Sequence, residues 1–113
     1  MKNYVQKGET LTLAAPYAVS SGGGALVGSI FGVAAADYAS GAEGEFQVEG
    51  VFDLNRETGA STAWSAGDLI YWDNTNKRAT KTATSNKQIG VAVRAAADGD
   101  ATGRVRLNGA FLS

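Results

Sequence analysis

The chain contains neither cysteine nor histidine. Without cysteine there can be no disulfide and no thiolate metal site. Without histidine the chain also lacks the commonest general base and the commonest transition-metal ligand. Catalytic systems that pair histidine with serine or cysteine are therefore impossible. We expect no catalytic site, no metal site and no cofactor.

Long apolar segments are missing as well. No stretch approaches the ~18 apolar residues that a membrane-spanning helix needs, and Met1–Gln6 lacks the apolar core of a signal peptide. We therefore expect no membrane partner. We also expect a protein that is made in a cytoplasm and stays there, or in a particle assembled there.

Proline occurs once, whereas glycine occurs fifteen times. This composition is typical of many turns and close backbone approaches rather than of helices. The content of 44% hydrophobic and 19% charged residues fits a soluble globular protein. At 113 residues a second core would have too little to bury, so we expect one domain.

Charge is distributed unevenly along the chain, although the net charge is only −1. Residues 1–57 carry three cationic and seven anionic side chains, whereas residues 58–113 carry seven and four. Two interpretations remain open: the asymmetry aids head-to-tail or subunit-to-subunit contact, or it marks two surfaces of one domain. No nucleic-acid partner is expected, and Arg94, Arg104 and Arg106 are expected to pair across strands.

Apolar and polar residues alternate along most of the chain, which is the pattern of strands that bury one side. The clearest example is residues 45–54, where Gly50 predicts a bulge or a strand that crosses between sheets. The connection at residues 55–66 could hold one helical turn around Glu57. Turn residues at 74–76 and 98–100 predict two tight turns. No internal repeat is visible.

These patterns predict an all-β fold, a compact antiparallel small barrel or sandwich of about seven or eight short strands. Residues 1–8 form a short polar segment that ends in Lys7-Gly8, which indicates an extended N-terminal arm. Residues 9–113 would form the single β domain.

Polar clusters that invite a catalytic or binding interpretation fit structural roles better. The carboxylates of Glu43, Glu45 and Glu49 indicate a solvated strand face rather than the paired acids of a glycosidase cleft. The glycines at 22–28 lack the Lys-Ser/Thr that a phosphate loop needs. The sequence Asp98-Gly99-Asp100 has too few oxygen ligands for an EF-hand loop.

The candidate interface residues of the globular part are Trp64, Tyr71 and Trp72. Residues 69–72 are apolar on both faces, so one face can pack inward while the other meets a partner. Exposed aromatic side chains bury much area at little cost in rotamer freedom. The alternative, that all three lie in the core, stays open. Trp72 is the preferred interface residue if only one is exposed.

Several segments resemble a family of small bacteriophage and prophage proteins encoded among head genes. The matching segments are Met1–Gln6, Gly8–Leu13, Leu26–Val33, Val48–Leu54, Gly67–Asp73, Ile89–Ala92, Asp98–Ala101 and Arg104–Gly109. The resemblance covers nearly the whole chain, and none of its motifs is catalytic. The family is similar to the capsid decoration, or cement, proteins.

The resemblance implies a small, non-enzymatic all-β protein on the capsid surface of a virion. Its partner would be the major capsid protein, and decoration proteins commonly form homo-oligomers, with a trimer favoured here. We expect residues 1–8 to order on the capsid lattice, with Tyr4 and Val5 as anchors. The rival placement is self-association through this arm.

A second function remains open, that of a carbohydrate- or receptor-binding β module on the virion surface. A groove lined by Trp64 and Trp72 would favour it, since aromatic faces are efficient contact surfaces.

Overall fold

The computed structural model describes residues 10–108, without the side chain of Asn108. Tyr4, Val5 and the arm at residues 1–8 lie outside the described residues. Within that range the chain forms nine strands and no helix, so the all-β prediction is confirmed. The expected helical turn around Glu57 is absent. The strands are β1 (Thr10–Ala14), β2 (Gly24–Val27), β3 (Ile30–Ala34), β4 (Glu43–Gln47), β5 (Glu49–Asn55), β6 (Leu69–Asp73), β7 (Arg78–Thr80), β8 (Lys87–Ala92) and β9 (Thr102–Asn108).

The strands form two antiparallel sheets. The first has the order β1-β4-β3-β2, and the second has the order β5-β9-β8-β6-β7. The chain passes from one sheet to the other at Val48, beside the irregularity predicted at Gly50. The second sheet curls into a half-barrel. A parallel bridge between Arg56 and Ala79 helps to close it, because the N–H of Glu57 donates to the carbonyl of Ala79 over 2.8 Å.

The two sheets repeat one chain path. We call residues 10–47 the first unit and residues 49–108 the second unit. In each unit an outer strand leads through a long loop into a hairpin, and a second long loop leads to a strand that inserts between them. Strand β7 is an addition to the second unit. The two long loops of a unit meet in an antiparallel bridge, Val19 with Tyr38 in the first unit and Trp64 with Ala96 in the second.

Backbone hydrogen bonds show how closely the units correspond. Ala15 donates to Ala42 just after β1, and Arg56 donates to Ala101 just after β5. Each of the four long loops also contains the same tight turn, closed by a bond between residues three apart. The turns are Ser20–Gly23, Ala39–Ala42, Ser65–Asp68 and Ala97–Asp100. The sequence hides this repeat because insertions change its spacing.

The main hydrophobic core lies between the two units. Phe31 and Val33 of the first unit pack with Trp64, Ile70 and other residues of the second. A smaller cluster within the first unit consists of Ala15, Ala25, Ala34 and Phe46, against which Tyr38 packs. Most of the large buried side chains therefore belong to the second unit, and the cluster within the first unit is small and rich in alanine.

Candidate functional site

Trp64 and Trp72 lie in the core, with only 3% and 2% of their surfaces exposed. The expectation that either tryptophan is exposed to a partner is therefore corrected in favour of the core alternative. Trp72 alternates with Tyr71 along β6 and points inward, where its ring centroid lies 4.9 Å from that of Phe31. Trp64 covers Gly103, and a Cβ atom at that position would overlap its indole ring.

Arg56 is the buried cation of the second unit, with 4% of its surface exposed. Its guanidinium lies over the ring of Trp64, 5.1 Å from the centroid. It donates to the carbonyls of Ala97 (2.8 Å) and Asp100 (2.6 Å), and also to that of Thr62. Because these carbonyls belong to both long loops of the second unit, Arg56 ties the loops together and has a structural role.

Tyr71, the third predicted aromatic, is half-buried on the opposite side of β6 from Trp72. It belongs to a surface that we call the outer face, the side of the second sheet that points away from the core. The described residues of this face include Glu49, Val51, Asp53, Leu69, Tyr71, Gln88, Val91, Val93, Arg104 and Arg106. Of the three aromatic candidates, the structure leaves Tyr71 on a surface that a partner can reach.

The outer face carries the large hydrophobic residues that are exposed within the described range. They are Val51 at 53%, Leu69 at 49% and Val93 at 40% exposure. Sequence reasoning missed them, although a signal was present. Val51 falls in the polar phase of β5, with Glu49 and Asp53, and a large apolar residue in a polar phase marks exposed hydrophobic surface.

The cross-strand register brings these residues into one row. Val51 is paired with Arg106, Arg106 with Val91, and Val91 with Leu69. The row crosses four strands, which corresponds to roughly 14 Å at the usual strand spacing. Apolar residues interleaved with arginine are typical of the centre of a protein–protein interface.

The neighbouring row contains an ion pair across strands, as expected for Arg104. The Nε of Arg104 lies 3.0 Å from the Oδ1 of Asp53. Its hydrogen bonds hold the pKa of the Asp53 carboxyl below the usual value, and the carboxylate in turn raises the pKa of Arg104. Arg106 and Arg94 take part in none of the ion pairs described between residues 10 and 108.

The first unit presents an acidic surface instead. Glu43 and Glu45 are exposed on one side of β4, and the hydroxyl of Thr12 donates to Glu45 over 2.9 Å. We call Thr10, Thr12, Glu43, Glu45 and Gln47 the acidic face. Residues 10–55 include no lysine and no arginine, and the ion pairs found in the described range do not involve Glu43 or Glu45.

A groove of about 340 Å³ separates the first long loop from the β6–β7 hairpin. Tyr17, Trp72 and Lys77 line it, and the Nζ of Lys77 lies 4.3 Å from the ring centroid of Tyr17. Burial raises the pKa of Tyr17. Trp64 does not line this groove, so residues 10–108 do not form here the groove of two tryptophans that would favour carbohydrate binding.

The described residues form neither a cluster of metal ligands nor a membrane-spanning helix. Residues 10–108 contain no cluster of three or more Asp or Glu side chains placed to hold a metal ion. The same residues form no helix with the length and apolar character needed to cross a membrane.

A family model described as phage cement protein matches residues 5–107. No curated protein and no solved structure matches the chain.

Proposed function

Because the chain belongs to the phage cement protein family, we propose that it binds the outside of a phage head and stabilises the expanded shell without catalysis. The observation that carries this proposal is the family match, which spans nearly all the described residues. The protein would be made in the bacterial host cytoplasm and would bind the major capsid protein as the shell matures.

The physical reason for such a protein is the outward pressure of packaged DNA. A molecule that contacts more than one capsid subunit opposes their separation. Repetition of that contact around the shell adds avidity without requiring a strong individual contact. Preference for the expanded shell follows if expansion completes the binding site.

We propose further that residues 1–8 contact the capsid, with Tyr4 and Val5 as anchors. Strand β1 begins at Thr10 and is an edge strand of the first sheet. A segment that precedes an edge strand can add to the sheet of a partner without opening its own sheet.

Co-sedimentation with shells of the major capsid protein tests the function. Saturable binding to expanded shells alone, at a fixed copy number per capsid subunit, is the expected result. Absence of binding to both expanded and unexpanded shells would contradict capsid decoration and would direct attention to a receptor on another surface.

Deletion of residues 2–6 tests the arm separately. The shortened protein should keep its circular dichroism spectrum and lose shell binding, whereas the double substitution of Tyr4 and Val5 by serine should reproduce most of the loss. Unchanged binding of the shortened protein would refute the arm as the capsid anchor while leaving decoration itself intact.

A further inference from the structure

We propose that the outer face of the second unit binds the acidic face of the first unit in a second copy of the chain. This head-to-tail contact goes beyond capsid binding, because it joins copies to each other and does not require the shell.

The first argument compares equivalent positions in the two units. Gln47 corresponds to Arg106, so the cross-strand partners Val33 and Val91 correspond as well. Val33 is 3% exposed, because residues of the second unit pack against β3 on that side, whereas Glu43, Glu45 and Gln47 of β4 stay exposed on the same side. Val91 is only half-buried, because nothing in the described range covers the same side of the second sheet. A position that is packed in one unit is thus left open in the other.

The second argument is the composition of the open face. It holds Val51, Leu69 and Val93, the large hydrophobic residues exposed within residues 10–108. Arg106 lies between Val51 and Val91 in the row, and its long side chain can bury its methylene groups while its guanidinium meets an anion. A partner surface that carries carboxylates and can also cover apolar side chains fits this arrangement.

The third argument is charge complementarity with matching spacing. Glu43 and Glu45 are two residues apart on β4, and Arg104 and Arg106 are two residues apart on β9. Residues two apart on a strand point to the same side and are separated by roughly 7 Å. Because Arg104 is already bonded to Asp53 of its own chain, one carboxylate of the pair can meet Arg106 of another copy while the second shares Arg104.

The symmetry of the assembly follows from the use of two different faces. Such a contact closes into a ring or continues as an open chain, unless two copies engage both of their faces at once in a two-fold dimer. A ring of three copies would use every acidic face and every outer face, in agreement with the trimer that the family resemblance favours.

Charge reversal at both faces tests the contact by sedimentation equilibrium of the full chain. Arg106→Glu and Glu45→Lys should each weaken self-association by roughly tenfold or more, because each places like charges opposite one another. The double variant Arg106→Glu with Glu45→Lys should associate again, since every contact between its copies then pairs opposite charges. Lys87→Glu, which reverses a cation that lies opposite the inward-pointing Trp72 and not on the outer face, is the matched control and should associate like the unaltered chain.

A conservative variant tests the same contact on shells. With Arg106→Lys, a zero-length carbodiimide should link the introduced amine to Glu43 or Glu45 of another copy, detected as a linked peptide by mass spectrometry. The link should vanish when Glu43→Gln and Glu45→Gln are added. Without those substitutions, the link should form between copies in solution, or between copies bound to shells if association requires the capsid lattice.

Two results would overturn the proposal. A double variant that stays monomeric, together with no link between copies on shells, would exclude this contact. If Arg106→Glu instead abolishes shell binding by a monomeric protein, the outer face contacts the capsid. Co-sedimentation of the unaltered chain, measured in parallel, reports capsid decoration separately from contact between copies.

Discussion

The two units share a backbone path but fill it with different side chains. In the first unit Tyr38 lies over Gly44 of β4, and its bridge partner is the smaller Val19. In the second unit Trp64 lies over the equivalent Gly103 of β9, and its bridge partner is Ala96. The aromatic residue comes from opposite loops in the two units. This backbone path therefore needs one large and one small residue at the bridge and a glycine beneath them. Close packing fixes the summed volume of the two bridge residues and not which loop supplies the larger one.

Charge differs between the units as strongly as packing does. The cross-strand pair Thr12 and Glu45 in the first unit occupies the place of Asp53 and Arg104 in the second. The buried Ala15 likewise occupies the place of the buried Arg56. The comparison teaches that the fold tolerates opposite charges at equivalent surface positions, so that surface charge is available for recognition.

The largest expected effect comes from removal of the aromatic residue in each unit. Trp64→Ala should lower the free energy of unfolding by about 4 kcal/mol, because it empties a site in the main core. Tyr38→Ala should cost about 2 kcal/mol, because its ring is only half-buried and covers a smaller cluster. Urea unfolding followed by circular dichroism measures both. Equal losses would show that the two cores contribute equally to the free energy of unfolding.

A smaller effect is expected at the equivalent valines. Val33→Ala should cost about 2 kcal/mol, from lost burial and the cavity left behind. Val91→Ala should cost about 0.5 kcal/mol or less in the monomer, because surface substitutions have small effects. The same urea experiment at low protein concentration compares them. A large cost for Val91→Ala in a monomer would show that the outer face is packed within one chain.

The smallest effect concerns pH. The pKa of Asp53 is lowered in the folded protein, mainly by its hydrogen bond with Arg104. The stabilisation is present above the ordinary carboxyl pKa of about 4 and is lost as the pH falls through the lower folded value. Because the pair is exposed, solvent screening keeps it small. Asp53→Asn should flatten the pH dependence of thermal stability measured between about pH 2 and pH 4. Identical slopes for the unaltered chain and Asp53→Asn would contradict this.

Period-two alternation made the strands predictable from the sequence. Alternation around Phe46 and Leu54 identified β4 and β5, and the turn residues at 74–76 and 98–100 placed two turns correctly. The irregularity at Gly50 pointed to the place where the chain changes sheet. These features depend on neighbours along the chain, so local sequence contains them.

Features that depend on pairing between distant residues were not predictable. The repeated backbone path of the two units has no fixed period in the sequence, because Arg56 follows Ala15 by 41 residues whereas Gly103 follows Gly44 by 59. The side chain of Trp72 could point either way until the sheet order was known, because residues 69–72 are apolar on both faces. The outer face joins four strands from separate parts of the chain, and only their register reveals it.

The position of β1 at a sheet edge has a mechanical consequence. Thr10 lies opposite Gln47, the residue at which β4 leaves for the second sheet, and five residue pairs join β1 to β4. Antiparallel hydrogen bonds run perpendicular to the strands. A load applied at Thr10 across the sheet would peel these bonds apart one after another, whereas a load along β1 would shear all of them together. The direction of tension, as much as the number of bonds, therefore sets the force that the molecule can bear at this edge.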